Sequence, residues 1–166
     1  MDTPLNRRDL MRAMTAVAFT TLQLPAAEPN APLFFTKDEF ALLDALTEIL
    51  IPTDEHSPGA RAAGVAAYID RTVAEAFLPE DKSSWRKGLA AVNSLSQSLH
   101  AKPFLRTSAK QKAKLLERME SEKQPFFGQL KETTVFAYYT SSTGIHQEIN
   151  YKGNVILEQF VGYDAT

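Results

Sequence analysis

The sequence predicts an all-α protein: a compact bundle of about five helices with an irregular C-terminal tail, preceded by an export leader. Three observations carry this expectation. Apolar residues recur at three- and four-residue spacing in five separate stretches, which is the period of one helical face. Proline and Ser/Thr cap signals fall between those stretches. Period-two alternation, the mark of a half-buried strand, occurs nowhere over a useful length, and no internal repeat is visible.

The chain opens on Asn6-Arg7-Arg8-Asp9-Leu10-Met11-Arg12, followed by a mildly apolar run over 13–24 that closes at Pro25-Ala26-Ala27. Two adjacent arginines, Leu10 two places on, a further cation and then a short greasy segment read as a twin-arginine export leader over 1–27. Paired guanidinium groups offer a translocase two rigid forks of donors, which two lysines would not reproduce. The apolar run is about a dozen residues long and carries Thr15, Thr20, Thr21 and Gln23, too short and too polar for a stable membrane span. Arg7, Arg8 and Leu10 are therefore the expected translocation signal, with small-residue cleavage sites after Ala26 or Ala27.

Pro29 and Pro32 keep 28–35 extended, as a linker to a single helical domain over 36–166. Thr36 and Glu39 have the spacing of a capping box, so a helix is expected to start there. Phe40, Leu43, Leu46, Thr47 and Leu50 form its stripe, and Pro52 ends it. A loop with Pro52, Pro58 and Gly59 leads to a second helix over about 60–77, whose core stripe is Val65, Tyr68, Ile69, Val73 and Phe77. Leu78-Pro79-Glu80-Asp81 reads as a break. Trp85, Leu89, Val92, Leu95 and Leu99 then mark a third helix over about 83–101. Before the fourth helix, about 108–121, either Thr107 caps alone or Ser108 and Gln111 form a box. Leu115, Leu116 and Met119 are its core. Pro125 opens a fifth helix with Phe126, Phe127, Leu130, Thr134, Ala137 and Tyr138 inward, failing near 141–144. The tail holds a turn signal at Tyr151-Lys152-Gly153-Asn154 and an apolar run over 155–161.

Hydrophobic content of 44% and charged content of 23% are those of an ordinary globular protein, and the net charge of −2 advertises neither nucleic acid nor an anionic membrane. There is no cysteine, which excludes thiolate nucleophiles, cysteine-ligated iron–sulfur clusters and covalent haem attachment in this chain. A protein bound for an oxidising space without disulfides can complete its fold beforehand in the cytosol.

The chemistry-bearing residues form no catalytic constellation. His56, His100 and His146 stand apart from one another in the sequence, and none has a metal-binding spacing. Asp44 and Glu48 lie one helical turn apart, as an exposed acidic edge would. No nucleophile elbow, phosphate-cradling glycine loop or dinucleotide fingerprint is present. The sequence therefore nominates no catalytic, cofactor-binding or metal-binding residue. An acid/histidine pocket around Asp54 and His56 is the alternative, for a stand-alone exported enzyme or ligand-binding protein. Phe126, Phe127, Tyr138, Tyr139 and Tyr151 make the C-terminal half aromatic, either as core or as a partner-binding face.

Several local signatures resemble the gluconate 2-dehydrogenase subunit 3 family. The stretch from Leu46 to Pro52, Thr53-Asp54, Pro58-Gly59-Ala60, Ala63-Gly64-Val65 and Tyr68-Ile69-Asp70 look like its opening motif. Phe126-Phe127, Tyr138-Tyr139-Thr140-Ser141, Gly144 and Tyr151-Lys152-Gly153 resemble its closing motif. The resemblance spans roughly 34–155 and departs at Phe160-Val161-Gly162-Tyr163, where the family often places a cysteine. It implies a non-catalytic small subunit of a periplasmic or membrane-associated dehydrogenase, with no cofactor of its own. The implied partners are a large FAD-binding flavoprotein of the glucose-methanol-choline type that oxidises a sugar or sugar acid, a cytochrome c acceptor and the twin-arginine translocase. The flavoprotein would cross folded, carried by this chain's leader.

Overall fold

A computed structural model describes residues 31–153, which form an all-α bundle without a strand among them. Its helices are α1 (Lys37–Leu50), α2 (Val65–Glu75), α3 (Pro79–His100), α4 (Ala109–Ser121) and α5 (Pro125–Tyr139). A 3-10 turn, Phe104–Arg106, joins α3 to α4, and a π turn, Gly144–Glu148, follows α5. The leader with Arg7, Arg8 and Leu10, and the tail beyond Gly153, lie outside the described residues.

Helices α1, α2 and α5 pack on one another, α3 runs against all three, and α4 closes the bundle against α3 and α5. Leu42, Leu43 and Leu46 of α1, Ile69 and Val73 of α2, Leu89 and Val92 of α3, Leu115 and Met119 of α4, and Leu130 and Tyr138 of α5 meet in one core. Burying apolar area of this kind supplies most of the driving force, at roughly 25 cal/mol per Å² removed from water. Both capping boxes form: Thr36 with Glu39 opens α1, and Ser108 with Gln111 opens α4. Thr107 is not the cap, because it is buried with its hydroxyl donating to the Phe104 carbonyl at 2.6 Å.

Two boundaries differ from the sequence expectation. Helix α2 starts at Val65 rather than near Ala60, because the Ala60 amide donates back to the Ile51 carbonyl at 2.9 Å and Gly64 takes a left-handed turn at φ +72°. It stops at Glu75, so Phe77 falls beyond the helix and is 95% exposed instead of buried; Tyr68 is also largely outside the core. Helix α3 starts at Pro79, where the sequence suggested a break. Proline lacks only an amide that the first helical turn leaves unbonded anyway, and Glu80 and Asp81 suit the positive end of the helix dipole. At its far end Leu99 is exposed.

The entry to the body is fixed by a buried carboxylate. Asp70 of α2, 3% exposed, accepts the backbone amides of Leu33, Phe34 (3.0 Å) and Phe35 (2.9 Å). Residues 33–35, expected to be the end of an extended linker, are thereby tied to the bundle. Phe35 is buried edge-on to Trp85, while Arg86 lies 4.4 Å from the Phe34 ring centroid and donates to its carbonyl at 3.0 Å. Trp85 also meets Phe126 edge-on, across the bare backbone of Gly88.

Replacing Asp70 by Ala strands three amides, two of them at least partly buried, and is expected to cost about 3 kcal/mol in urea unfolding. Asp70→Asn, which keeps one acceptor oxygen, should cost less. Gly88→Ala drives a methyl group into the Phe126 ring and is expected to lower stability by about 1–3 kcal/mol in the same measurement.

Candidate partner-binding face

The connection from α1 to α2 is the most heavily hydrogen-bonded loop among the described residues, and α1 supplies its first anchors. Glu48 accepts from the Thr53 amide and hydroxyl, both at 3.3 Å, and from the Arg61 amide at 2.9 Å. Asp44, one turn earlier, pairs with the Arg61 guanidinium at 2.7 Å and so holds the arginine's pKa above its ordinary value. The acidic pair expected to face solvent thus grips both ends of the loop. The Thr53 hydroxyl also accepts from the Gly59 amide at 2.8 Å. No side chain fits at Gly59, since a Cβ would sit 2.5 Å from the Thr53 nitrogen and 2.8 Å from the Ile51 carbonyl oxygen.

Asp54 and His56 lie on this loop, but they do not make an acid/histidine pocket. The exposed Asp54 carboxylate turns inward to its own backbone, accepting the His56 amide at 2.8 Å and the Ser57 amide at 2.9 Å. The Ser57 amide first, then that of His56, holds this carboxyl below the usual aspartate range. This is an Asx turn, a use of aspartate that stabilises a loop and requires no substrate.

The far side of the loop is held by α5. Tyr138 is 1% exposed; its hydroxyl donates to the Pro58 carbonyl at 2.8 Å and lies 3.0 Å from the Ser57 hydroxyl. The residues around Tyr138 are fixed in turn. Ser141 donates to its carbonyl at 2.6 Å and accepts the Gly144 amide at 3.0 Å, and a Cβ at Gly144 would come within 2.9 Å of the Tyr139 Cα. Glycines 59 and 144 therefore permit close backbone approach on the two sides of one buried tyrosine.

Of the five aromatic residues considered for a partner face, Tyr138 and Phe127 are core, and Phe126 is half-buried against Trp85. They are unavailable to a partner because the helical turn that brings them to the core also places their contacts inside. Tyr139 and Tyr151 remain exposed. Tyr139 stands edge-on to Tyr138, with ring centroids 5.3 Å apart. Beside it on α5 are Val135 and Phe136, the latter 58% exposed, and Phe136 touches the ring of Tyr68 on α2 at 6.3 Å. Tyr68, Val135, Phe136 and Tyr139 thus form an uncharged, largely aromatic patch on the outside of the α2–α5 contact. Sequence reading assigned Tyr68 to the core and did not single out Val135 or Phe136. The signal available was the run Val135-Phe136-Ala137-Tyr138-Tyr139, too continuously apolar for one helical face to bury.

The histidines do not converge. His56 is exposed, His100 has Nδ1 3.5 Å from the Gln111 side-chain nitrogen, and His146 Nδ1 lies 3.2 Å from the Tyr151 carbonyl oxygen. Among the described residues no group of three His, Cys, Asp or Glu side chains could hold a metal ion.

A family model described as gluconate 2-dehydrogenase subunit 3 matches residues 37–155, from the first helix to just past the π turn. Neither curated proteins nor solved structures gave a match.

Tyr138→Phe removes the hydroxyl that Pro58 and Ser57 use. It is expected to lower stability by about 1–2 kcal/mol and to speed hydrogen exchange at the loop amides of 52–61 well before the helices respond. For Asp54, a folded pKa below the unfolded one means that the folded loop binds fewer protons at intermediate pH. Its contribution is complete above the ordinary aspartate range and is lost as pH falls through the lower folded value. Asp54→Ala should accordingly show at neutral pH the faster His56 and Ser57 exchange that the native chain shows only in acid.

Proposed function

Because the chain belongs to the gluconate 2-dehydrogenase subunit 3 family and is thereby a subunit of a dehydrogenase complex, we propose that it is the non-catalytic small subunit of an FAD-dependent sugar or sugar-acid dehydrogenase, stabilising the flavoprotein and carrying it through twin-arginine export to the periplasm. The observation that carries this reading is the exposed patch of Tyr68, Val135, Phe136 and Tyr139 on the outside of the α2–α5 contact. Asp44, Glu48, Asp54 and Asp70, the acids nearest the α1–α2 loop and the entry to the body, are each engaged with the backbone or with Arg61.

A patch rich in Tyr and Phe has the composition of the centre of a protein interface. Aromatic side chains bury a large area for few lost rotamers, and Tyr keeps a polar tip that can find a partner across the contact. The flavoprotein is the proposed occupant. An obligate contact of this kind is expected to bury more than about 2,000 Å² in total, so the patch would be its centre. A cytochrome c is the proposed electron acceptor of the complex, with FAD confined to the large subunit. Arg7, Arg8 and Leu10 would supply the export signal, joined through 28–32 to a body whose first residues are tied down by Asp70.

Two measurements test this. Expressed without this chain, the large subunit should remain in the cytosol; its recovery in active form from the periplasm would reject the carrier role. The same failure of export is expected with Arg7→Lys and Arg8→Lys together. Tyr68→Glu with Phe136→Glu should weaken co-purification of the flavoprotein by more than about tenfold while leaving the helical circular dichroism signal intact.

A further inference from the structure

The net charge of −2 conceals a strong segregation. From 31 to 81 the sequence has ten Asp and Glu against three Lys and Arg; between Asp81 and Glu117 it has eight Lys and Arg and no carboxylate. Five of those cations, Lys102, Arg106, Lys110, Lys112 and Lys114, gather where α3 ends, the 3-10 turn crosses and α4 begins. The ion pairs of the described residues are Arg61–Asp44, Arg86–Glu39, Arg118–Glu122 and Lys131–Glu120, so none of the five takes part in one. Lys112 lies 5.7 Å from the Phe104 ring centroid. Two carboxylates border the cluster: Glu117 lines a groove with Lys114 and Arg118, and Glu48 of α1 lines another with Lys112.

Several inward-facing groups of the connection are hydrogen-bonded, although the buried His100 Nε2 at the end of α3 finds no partner. Phe104 is wholly buried and its amide donates to the Asn93 side chain at 3.1 Å. Ser96 donates to the Lys102 carbonyl at 2.9 Å, and Thr107 donates to that of Phe104. What remains outside is Lys102, Pro103, Leu105 and Arg106, with Leu105 42% exposed and Leu99 40% exposed close by in the chain. Leu99 and Leu105 are each partly exposed on the same stretch of chain as five cations that take part in none of the ion pairs of the described residues.

We propose that this end of the bundle docks on an anionic phospholipid surface. Lysine and arginine heads reach lipid phosphates while Leu99 and Leu105 enter the boundary between headgroup and acyl chain, the two terms that peripheral membrane contacts combine. Among the described residues no helix is long and apolar enough to cross a membrane, so the contact is superficial. An acidic protein is the other candidate occupant. It would need an apolar hollow matched to both leucines, whereas a lipid headgroup layer deforms around them. The inference is independent of the flavoprotein reading, since vesicles require no dehydrogenase.

Sedimentation of the full chain with phosphatidylcholine vesicles, with and without about a third phosphatidylglycerol, tests it. At about 0.1 M salt, binding to the anionic vesicles should exceed binding to the neutral ones by at least about tenfold, and about 0.5 M salt should remove most of the difference. K102E with R106E should lower anionic binding about tenfold, and L105S should lower it a few-fold with little change in salt dependence. K110E with K114E, on an exposed helix face, repeats the test should the loop variant fail to fold. Every variant is compared in a second background carrying R7Q, R8Q and R12Q, so that leader arginines do not supply the signal. Equal binding to the two vesicle types, or anionic binding untouched by both charge reversals in folded protein, overturns the proposal. So does a wild-type chain that ignores vesicles while the charge reversals cost it an acidic protein partner.

Discussion

The Tyr138 hydroxyl is the point on which the rest of the structure turns. It closes the α1–α2 loop onto α5 across 80 residues of sequence, through the Pro58 carbonyl, with the Ser57 hydroxyl beside it. A buried polar group left unpaired costs more than a typical hydrogen bond gains, so three groups that satisfy one another favour this one arrangement of loop and helix. On the outside of the same helix, Phe136 meets Tyr68 of α2. The family match runs from α1 to just beyond the π turn and so takes in both the loop and the tyrosine that locks it.

A second buried polar group performs the same service at the start of the body. Asp70 gathers three successive amides that no helix or sheet would otherwise satisfy, and so converts the incoming chain from a tether into part of the core. Several other acids also serve the local structure. Asp44 and Glu48 hold Arg61 and Thr53, Asp54 holds its own turn, and Glu39 caps α1.

The outer surface divides into two regions of opposite character. The α2–α5 side offers uncharged aromatic area, suited to a tight protein contact. The α3–α4 end offers unpaired cations around two leucines, suited to the proposed contact with lipid headgroups. A subunit that held its partner on one side and a membrane surface on the other would set the height of the partner's active site above that surface without any span of its own.

By itself the sequence determined the helical class, the two capping boxes and the buried stripes of α1, α4 and α5, because each depends on residues three or four positions apart. It also carried the motifs that resemble the family. Tertiary structure decided what depends on distant partners. Helix α2 starts late because Ala60 bonds to Ile51, and residues 33–35 join the core because Asp70 lies within reach. Tyr138 and Tyr139 are adjacent and equally apolar, yet one is core and the other surface. Neighbouring helix positions differ by about 100° in direction, and which direction is inside is set by the helices packed around them. The charge segregation is written in the sequence, where an average charge hides it; the fold decides that the cations from Lys102 to Lys114 enter none of the ion pairs of the described residues.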